Sequence, residues 1–198
     1  MQRHWILLGA GLFLGLAGII VYSLLQPYTL KGSAITTPTT APDFILSSSL
    51  GGNYQLSQHN GKIRLLFFGY TTCPDICPAT LSEMKQLTSR LGKQANEVQV
   101  LFVTVDPERD TLEKLSRYMA AFNPAFIGLS GTPDQLETVW KSYGVYREIR
   151  QGATAAGYLV DHTARVYGVD KKGNLRVTYS FGTPVDAILS DVRYLLRE

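Results

Sequence analysis

The stretch Ile63-Arg64-Leu65-Leu66-Phe67-Phe68-Gly69-Tyr70-Thr71-Thr72-Cys73-Pro74-Asp75-Ile76-Cys77-Pro78 decides how the chain is read. Its first seven residues form a near-continuous apolar run, the mark of a strand covered on both faces. A helical pattern starts near Ala79, so what lies between is a strand-to-helix junction. That junction holds Cys73 and Cys77, the only two cysteines of the chain. A dithiol so placed exchanges disulfides or holds a soft metal ion. A plain structural disulfide is a third reading, but a bridge closing so small a loop removes little chain entropy.

Pro74 and Pro78 push the residues before them out of helical geometry. They predict an extended Cys73 and Cys77 and a helix beginning at or just after Pro78. Cys77 then sits at a helix N-terminus, where unpaired backbone N–H groups favour a thiolate.

Working outward, Val98 to Val105 is a second near-continuous apolar run. Apolar residues recur at helical spacing in Leu81, Met84, Leu87 and Leu91, then in Leu112, Leu115, Met119 and Phe122. Leu136, Val139, Trp140 and Tyr143 make a third stripe, and Val185, Ile188, Leu189, Val192 and Leu196 a fourth. Asp110 with Glu113 reads as a capping box, while Thr132-Pro133 and Thr183-Pro184 place a cap before a first-turn proline. Phe44-Ile45-Leu46 and Tyr54-Gln55-Leu56 flank a Ser- and Gly-rich turn and read as a hairpin. A strand over Gly157 to Asp161 precedes a second hairpin, Arg165 to Val169 and Leu175 to Phe181, joined by Asp-Lys-Lys-Gly-Asn. A short parallel sheet extended by an antiparallel hairpin and covered by helices is α/β in class. With a dithiol after its first central strand, the expected architecture is a thioredoxin-like fold with an N-terminal hairpin extension.

The opening segment differs from the rest. Trp5 to Leu25 carries no charge and matches the ~20 apolar residues that cross a bilayer. It is longer than a signal-peptide core and lacks a small-x-small cleavage site after it, so it reads as an uncleaved anchor. Arg3 precedes it without an acidic neighbour, which predicts a cytoplasmic N-terminus. The expected organisation is an anchor over 1–28, a Thr-, Ser- and Pro-rich linker over 29–41, and one folded domain over 42–198. The expected location is a bacterial inner membrane, single-pass, with the C-terminal domain periplasmic, where disulfides are tolerated. A net charge of only +3 without a Lys/Arg cluster excludes nucleic acid as the expected partner.

Two thiolates need further ligands to hold a metal, and the chain has three histidines. His4 flanks the anchor, and His59 sits in a polar turn and reads as solvated. His162, in Leu159-Val160-Asp161-His162-Thr163, follows an apolar strand; taken alone, a histidine there is by default a satisfied structural residue.

The run Phe67 to Pro78, then Val105-Asp106-Pro107-Glu108-Arg109-Asp110-Thr111, Gly128-Leu129-Ser130-Gly131-Thr132 and Asp161-His162-Thr163-Ala164, resembles the Sco/SenC family of copper-binding, membrane-tethered, thioredoxin-like proteins. The resemblance runs from about Pro42 to the C-terminus, in family order. It implies a copper site made by Cys73, Cys77 and His162. It also implies a chaperone role: assisting copper insertion into the dinuclear copper centre of cytochrome c oxidase, with subunit II of the oxidase as the receiving partner. Thr72 stands where the family often carries histidine, at a position that is not a family ligand. Asp106 looks like a family position that supports the ligands from behind, or else a turn residue in Asp106-Pro107; Asp161 could orient His162 in the same way. Two thiolates and an imidazole suit copper as Cu(I) or Cu(II), whereas a structural zinc site wants a fourth protein ligand.

The competing function is an extracytoplasmic thiol-disulfide oxidoreductase, with Cys73 and Cys77 as its redox-active, catalytic dithiol. The C-x-x-x-C spacing is one residue longer than in ordinary thioredoxins. No proline occurs from Tyr158 to Tyr167, where such enzymes place one beside the dithiol. Copper delivery is therefore the expected function, and enzymatic exchange an accessory one.

Overall fold

All seven residues from Ile63 to Gly69 are buried, Arg64 included. The computed structural model describes Gly18 and residues 27–154 and 157–198. Its strands are β1 (Ser33–Thr40), β2 (Ile45–Ser48), β3 (Asn53–Gln55), β4 (Ile63–Gly69), β5 (Val98–Thr104), β6 (Ile127–Ser130), β7 (Arg147–Thr154), β8 (Gly157–His162), β9 (Arg165–Val169) and β10 (Asn174–Ser180). The helices are α1 (Ile76–Leu91), α2 (Leu112–Phe122), α3 (Pro133–Ser142) and α4 (Val185–Arg197). The expected membrane span lies outside the described residues, apart from Gly18. Among the described residues no helix is long and apolar enough to cross a membrane.

One sheet carries the order β1-β10-β9-β4-β5-β6-β2-β3. β4 pairs parallel with β5 from Ile63↔Val98 to Gly69↔Thr104, and β5 pairs parallel with β6. On its other side β4 pairs antiparallel with β9, which returns to β10 through the Asp170 turn. The parallel core with antiparallel flanks is the expected α/β, thioredoxin-like arrangement. Helices cover it: α1 packs against α4, and α2 against β6. Parallel strands bring Gly69 and Thr104 to the same edge, so the loops that follow them share the carboxyl end of the sheet.

Several local expectations are corrected. Helix α1 begins at Ile76, two residues before Pro78, so Cys77 lies within its first turn rather than in an extended loop. A proline there costs no helical hydrogen bond, because the first N–H groups of a helix have no partner inside it. Helix α2 is capped by Thr111, whose hydroxyl accepts from Lys114 N, and not by Asp110. Thr132 caps α3 with the reciprocal Gln135 contact. Thr183 does not cap α4, because its hydroxyl donates to Ser180 O instead.

The linker reading of 29–41 is also corrected. Ser33–Thr40 adds to the sheet as its outer strand, antiparallel to β10, with an irregularity between Ala34 and Thr39 that accommodates Pro38. The strand is exposed almost throughout, so it carries no apolar alternation, but its threonines are good strand formers. Ahead of it, the fully buried Asp191 of α4 accepts from Tyr28 Oη (2.7 Å), Lys31 N (2.9 Å) and Gly32 N (3.0 Å). One carboxylate thus fastens the segment entering the domain.

Asp191→Ala is expected to destabilise the fold by about 3 kcal/mol, because it orphans several donors that a charged acceptor had satisfied. Amide exchange should locate the damage: residues 31–40 exchange ahead of β4. Unchanged protection in β1 would refute the clamp.

Candidate metal centre

Cys73 lies in the loop after β4, its N–H donating to Tyr70 O (3.2 Å), and is half-buried. Cys77 is fully buried and packs over Gly69. A β-carbon at Gly69 would stand 2.9 Å from Cys77 Sγ and 2.8 Å from the Phe102 ring, closer than real contacts come. Only glycine leaves the sulfur its place at the end of the strand. His162 ends β8. Its Nε2 lies 3.6 Å from Cys77 Sγ, and the three donor atoms of Cys73, Cys77 and His162 all fall within 4.8 Å of one another.

The tautomer follows from the other ring nitrogen. His162 Nδ1 is 3.2 Å from Thr163 O, a group that only accepts, so Nδ1 carries the proton and Nε2 turns its lone pair to the sulfurs. Asp161 does not orient the ring as expected; it pairs with Arg150 across the β7–β8 hairpin. Tyr70 and Phe67 pack against the imidazole as edge-on neighbours. Cys73 and His162 open onto a cavity of about 450 Å³ walled by Tyr70, Pro74, Ile76, Tyr146 and Leu159, with Cys77 buried behind them.

Both cysteines are free thiols. They divide the acidity unequally: the Cys77 thiol donates to Cys73, which holds Cys73 down at about 4 against the opposing effect of burial. The backbone N–H groups of Cys77 and Asp75 favour the same thiolate. Cys77, donating to that sulfur and buried, is pushed up. The helix N-terminus therefore favours the thiolate of Cys73, two positions before the cap Asp75, rather than that of Cys77.

β8 is not part of the main sheet. Among the described residues it pairs only with β7, a strand over Arg147–Thr154 that periodicity did not reveal. Side chains hold this hairpin to the domain. Asp106, fully buried, accepts from Arg109 Nε (2.5 Å) and Tyr158 Oη (2.7 Å). Arg109 also donates to Tyr158 O (2.9 Å) and lies 3.7 Å over the Tyr158 ring. Asp106 is not among the three clustered donors, and its backbone carbonyl closes the turn to Arg109 and Asp110. Arg147 Nε donates to Val105 O, and Tyr70 Oη accepts from Val160 N.

Asp110 was misread as a cap. It is buried and accepts from Thr71 N (3.1 Å), Thr71 Oγ1 (2.5 Å) and Thr104 Oγ1 (2.8 Å), tying the cysteine loop to the end of β5. Burial raises its carboxyl despite those donors. The signal available was that a better cap, Thr111, directly follows it. His59 is not simply solvated: it stacks on Tyr54 at 4.1 Å, and burial lowers its basicity. His4 lies outside the described residues.

A soft dithiol with one imidazole, set at the carboxyl edge of a thioredoxin-like sheet, defines a class of small metal-handling domains. The sequence model of the SCO1/SenC family matches residues 33–197, and the chain belongs to that family. The mitochondrial protein SCO2 homolog of Bos taurus is 36% identical over 154 residues, 72% of this chain and 58% of that protein. Alignments with the first curated relatives span between 46% and 66% of their own length. The copper-bound structure of Bradyrhizobium japonicum ScoI is 34% identical with a TM-score of 0.73, over 80% of this chain and 100% of that one. BsSco, a member of the Sco family of cytochrome c oxidase assembly proteins in which a disulfide switch was identified, is 26% identical. Its TM-score is 0.64, over 82% of this chain and 98% of that one.

Alkylation of the metal-free protein should modify Cys73 first, with Cys77 following only slowly. The Cys73 rate should stay flat from roughly pH 6 to 8, where an unperturbed thiol gains about tenfold per pH unit; a rate climbing like that of a free thiol would contradict the assignment. Asp106→Asn keeps the shape but weakens the grip on Arg109. It is expected to speed amide exchange in 147–162 and to weaken metal binding about tenfold. Binding lost without faster hairpin exchange would point to a different role.

Proposed function

We propose that this chain is a membrane-tethered copper chaperone that hands copper to the dinuclear copper centre of cytochrome c oxidase, subunit II being the receiver. The observation that carries the reading is the convergence of Cys73, Cys77 and His162 Nε2 within 4.8 Å, although 85 positions separate Cys77 from His162. Thiolates and imidazole are the donors that copper prefers, and copper outcompetes zinc at such a set. Copper is cargo here, so the open side matters as much as the ligands. The cavity leaves Cys73 and His162 accessible, where a partner's thiols can displace them one at a time. The copper-bound relative and the assembly role of BsSco support the same reading. The membrane span read at Trp5 to Leu25 would place the domain on the periplasmic side of a bacterial inner membrane.

A second reading, thiol-disulfide exchange, draws on the free Cys73 thiolate beside Cys77. In that cycle Cys73 attacks a partner disulfide and releases one partner thiolate. Cys77, deprotonated, then resolves the mixed disulfide, leaving the partner reduced and this chain oxidised. Such reduction is a sensible prelude to loading the partner's sulfurs.

Anaerobic Cu(I) titration of the reduced full chain in detergent, against a competing chelator, separates the two. The parent should bind one equivalent, and His162→Ala should bind at least about tenfold more weakly. If His162→Ala holds copper as the parent does while disulfide reductase activity persists, exchange becomes the primary function.

A further inference from the structure

The first described contacts after the apolar run are those of Tyr28. Its ring stacks on Tyr194 of α4 with centroids 4.4 Å apart, and its hydroxyl donates to Asp191. Leu25, the end of the apolar run, is three residues away, a span of at most about 11 Å even when fully extended. A bilayer reached through that run therefore begins within about 11 Å of α4.

The surface around Tyr28 and the end of α4 carries more cations than acids. Lys31, Arg90 at the end of α1, Arg193 and Arg197 are exposed there, while its exposed acids, Asp186 and Glu198, are paired with Arg90 and Arg176. Arg90 is paired with Asp186, but Lys31, Arg193 and Arg197 pair with no carboxylate among the described residues. Arg193 donates to Arg90 O, Arg197 donates to Arg193 O, and the charge of Arg197 reaches the Tyr28 hydroxyl. Half-exposed tyrosines flanked by cations are what the headgroup level of an anionic bilayer attracts.

We infer that this face is a lipid-docking surface: Tyr28 and Tyr194 sit at headgroup level, and Lys31, Arg193 and Arg197 contact anionic phospholipid. The inference rests on the membrane anchor of the proposed function and adds an orientation to it. The C-terminal end of α4 lies by the Asp170 turn, where Lys171 Nζ donates to Leu196 O. β9 runs antiparallel to β4, so that turn is at the end of β4 opposite Gly69 and the sulfurs. Docking through α4 therefore directs the donor cavity away from the lipid.

The test uses the full chain in vesicles of phosphatidylcholine alone or mixed with phosphatidylglycerol. Phenylglyoxal modification of each arginine is followed by mass spectrometry, with Arg117 of α2 as internal control. Arg193 and Arg197 should react more slowly only in the anionic vesicles, and high salt should abolish the difference. Lys31→Gln keeps its backbone bond to Asp191 and should lower the residual protection about fivefold. An alkaline wash separates the two failures. A chain that washes off phosphatidylcholine vesicles overturns the anchor and the docking surface together. A chain that stays, with equal arginine rates in both lipids, overturns the docking surface alone.

Discussion

A buried carboxylate decides whether the donor set exists. His162 arrives on a hairpin that shares no backbone ladder with the main sheet, so its place relative to the sulfurs depends on side chains. Asp106 is the centre of that attachment, neutralised by Arg109 and bonded to Tyr158 of the hairpin itself. Lifting the hairpin strips Asp106 of the Tyr158 hydroxyl and Arg109 of Tyr158 O and the ring, and hydrogen bonds to charged groups contribute about 1.5–3 kcal/mol each, so the motion is opposed by more than lost contact area. Arg109 cannot be exchanged freely for lysine: its fork reaches both the carboxylate and Tyr158 O while its plane lies on the tyrosine ring.

The two halves of the centre differ in rigidity for this reason. Cys77 rests on a parallel strand with its sulfur over Gly69, inside a packed core that tolerates no added methyl. His162 sits on a two-stranded hairpin held at a few polar points. On the copper-delivery reading, an ion held by a sulfur on the core strand and an imidazole on a separate hairpin would be released in steps, the ring leaving first. The electrostatics run the same way. One proton shared between two sulfurs leaves Cys73 ready to bind, while Cys77 must lose its proton as the ion arrives.

The parallel core was legible because its strands are covered on both faces and read as unbroken apolar runs, and the helices because their stripes recur at 3.6. The cysteine pair and the importance of His162 were legible too, the latter only once several motifs were taken together. What escaped was whatever depends on partners distant in sequence. Strand β1 is exposed on nearly every residue, so its pairing with β10 leaves no periodic trace. Strand β7 is likewise defined by its register with β8 and not by its own pattern. Asp110 looked like a cap because local spacing cannot show Thr71 and Thr104 converging on it. The start of α1 was placed late because a proline restricts its predecessor only statistically, and the first helical turn has no hydrogen bond for it to break.

Asp191 plays for the start of the domain the part that Asp106 plays for the hairpin. A flexible 13-residue linker would let the domain wander about 20 Å from its anchor in any orientation. Pairing those residues as a strand and clamping Tyr28, Lys31 and Gly32 on one carboxylate removes that freedom. On the membrane-bound reading, the domain would then meet a partner in the same bilayer with few orientations left to search, which raises effective concentration without any new contact. On that reading a rigid mount would also limit which partners can be reached: the receiving site would have to stand at the height where the carboxyl edge of the sheet ends. Fixed height and an imidazole carried on a separate hairpin would then be complementary, the first bringing the donors level with the receiver and the second supplying the small motion that transfer requires.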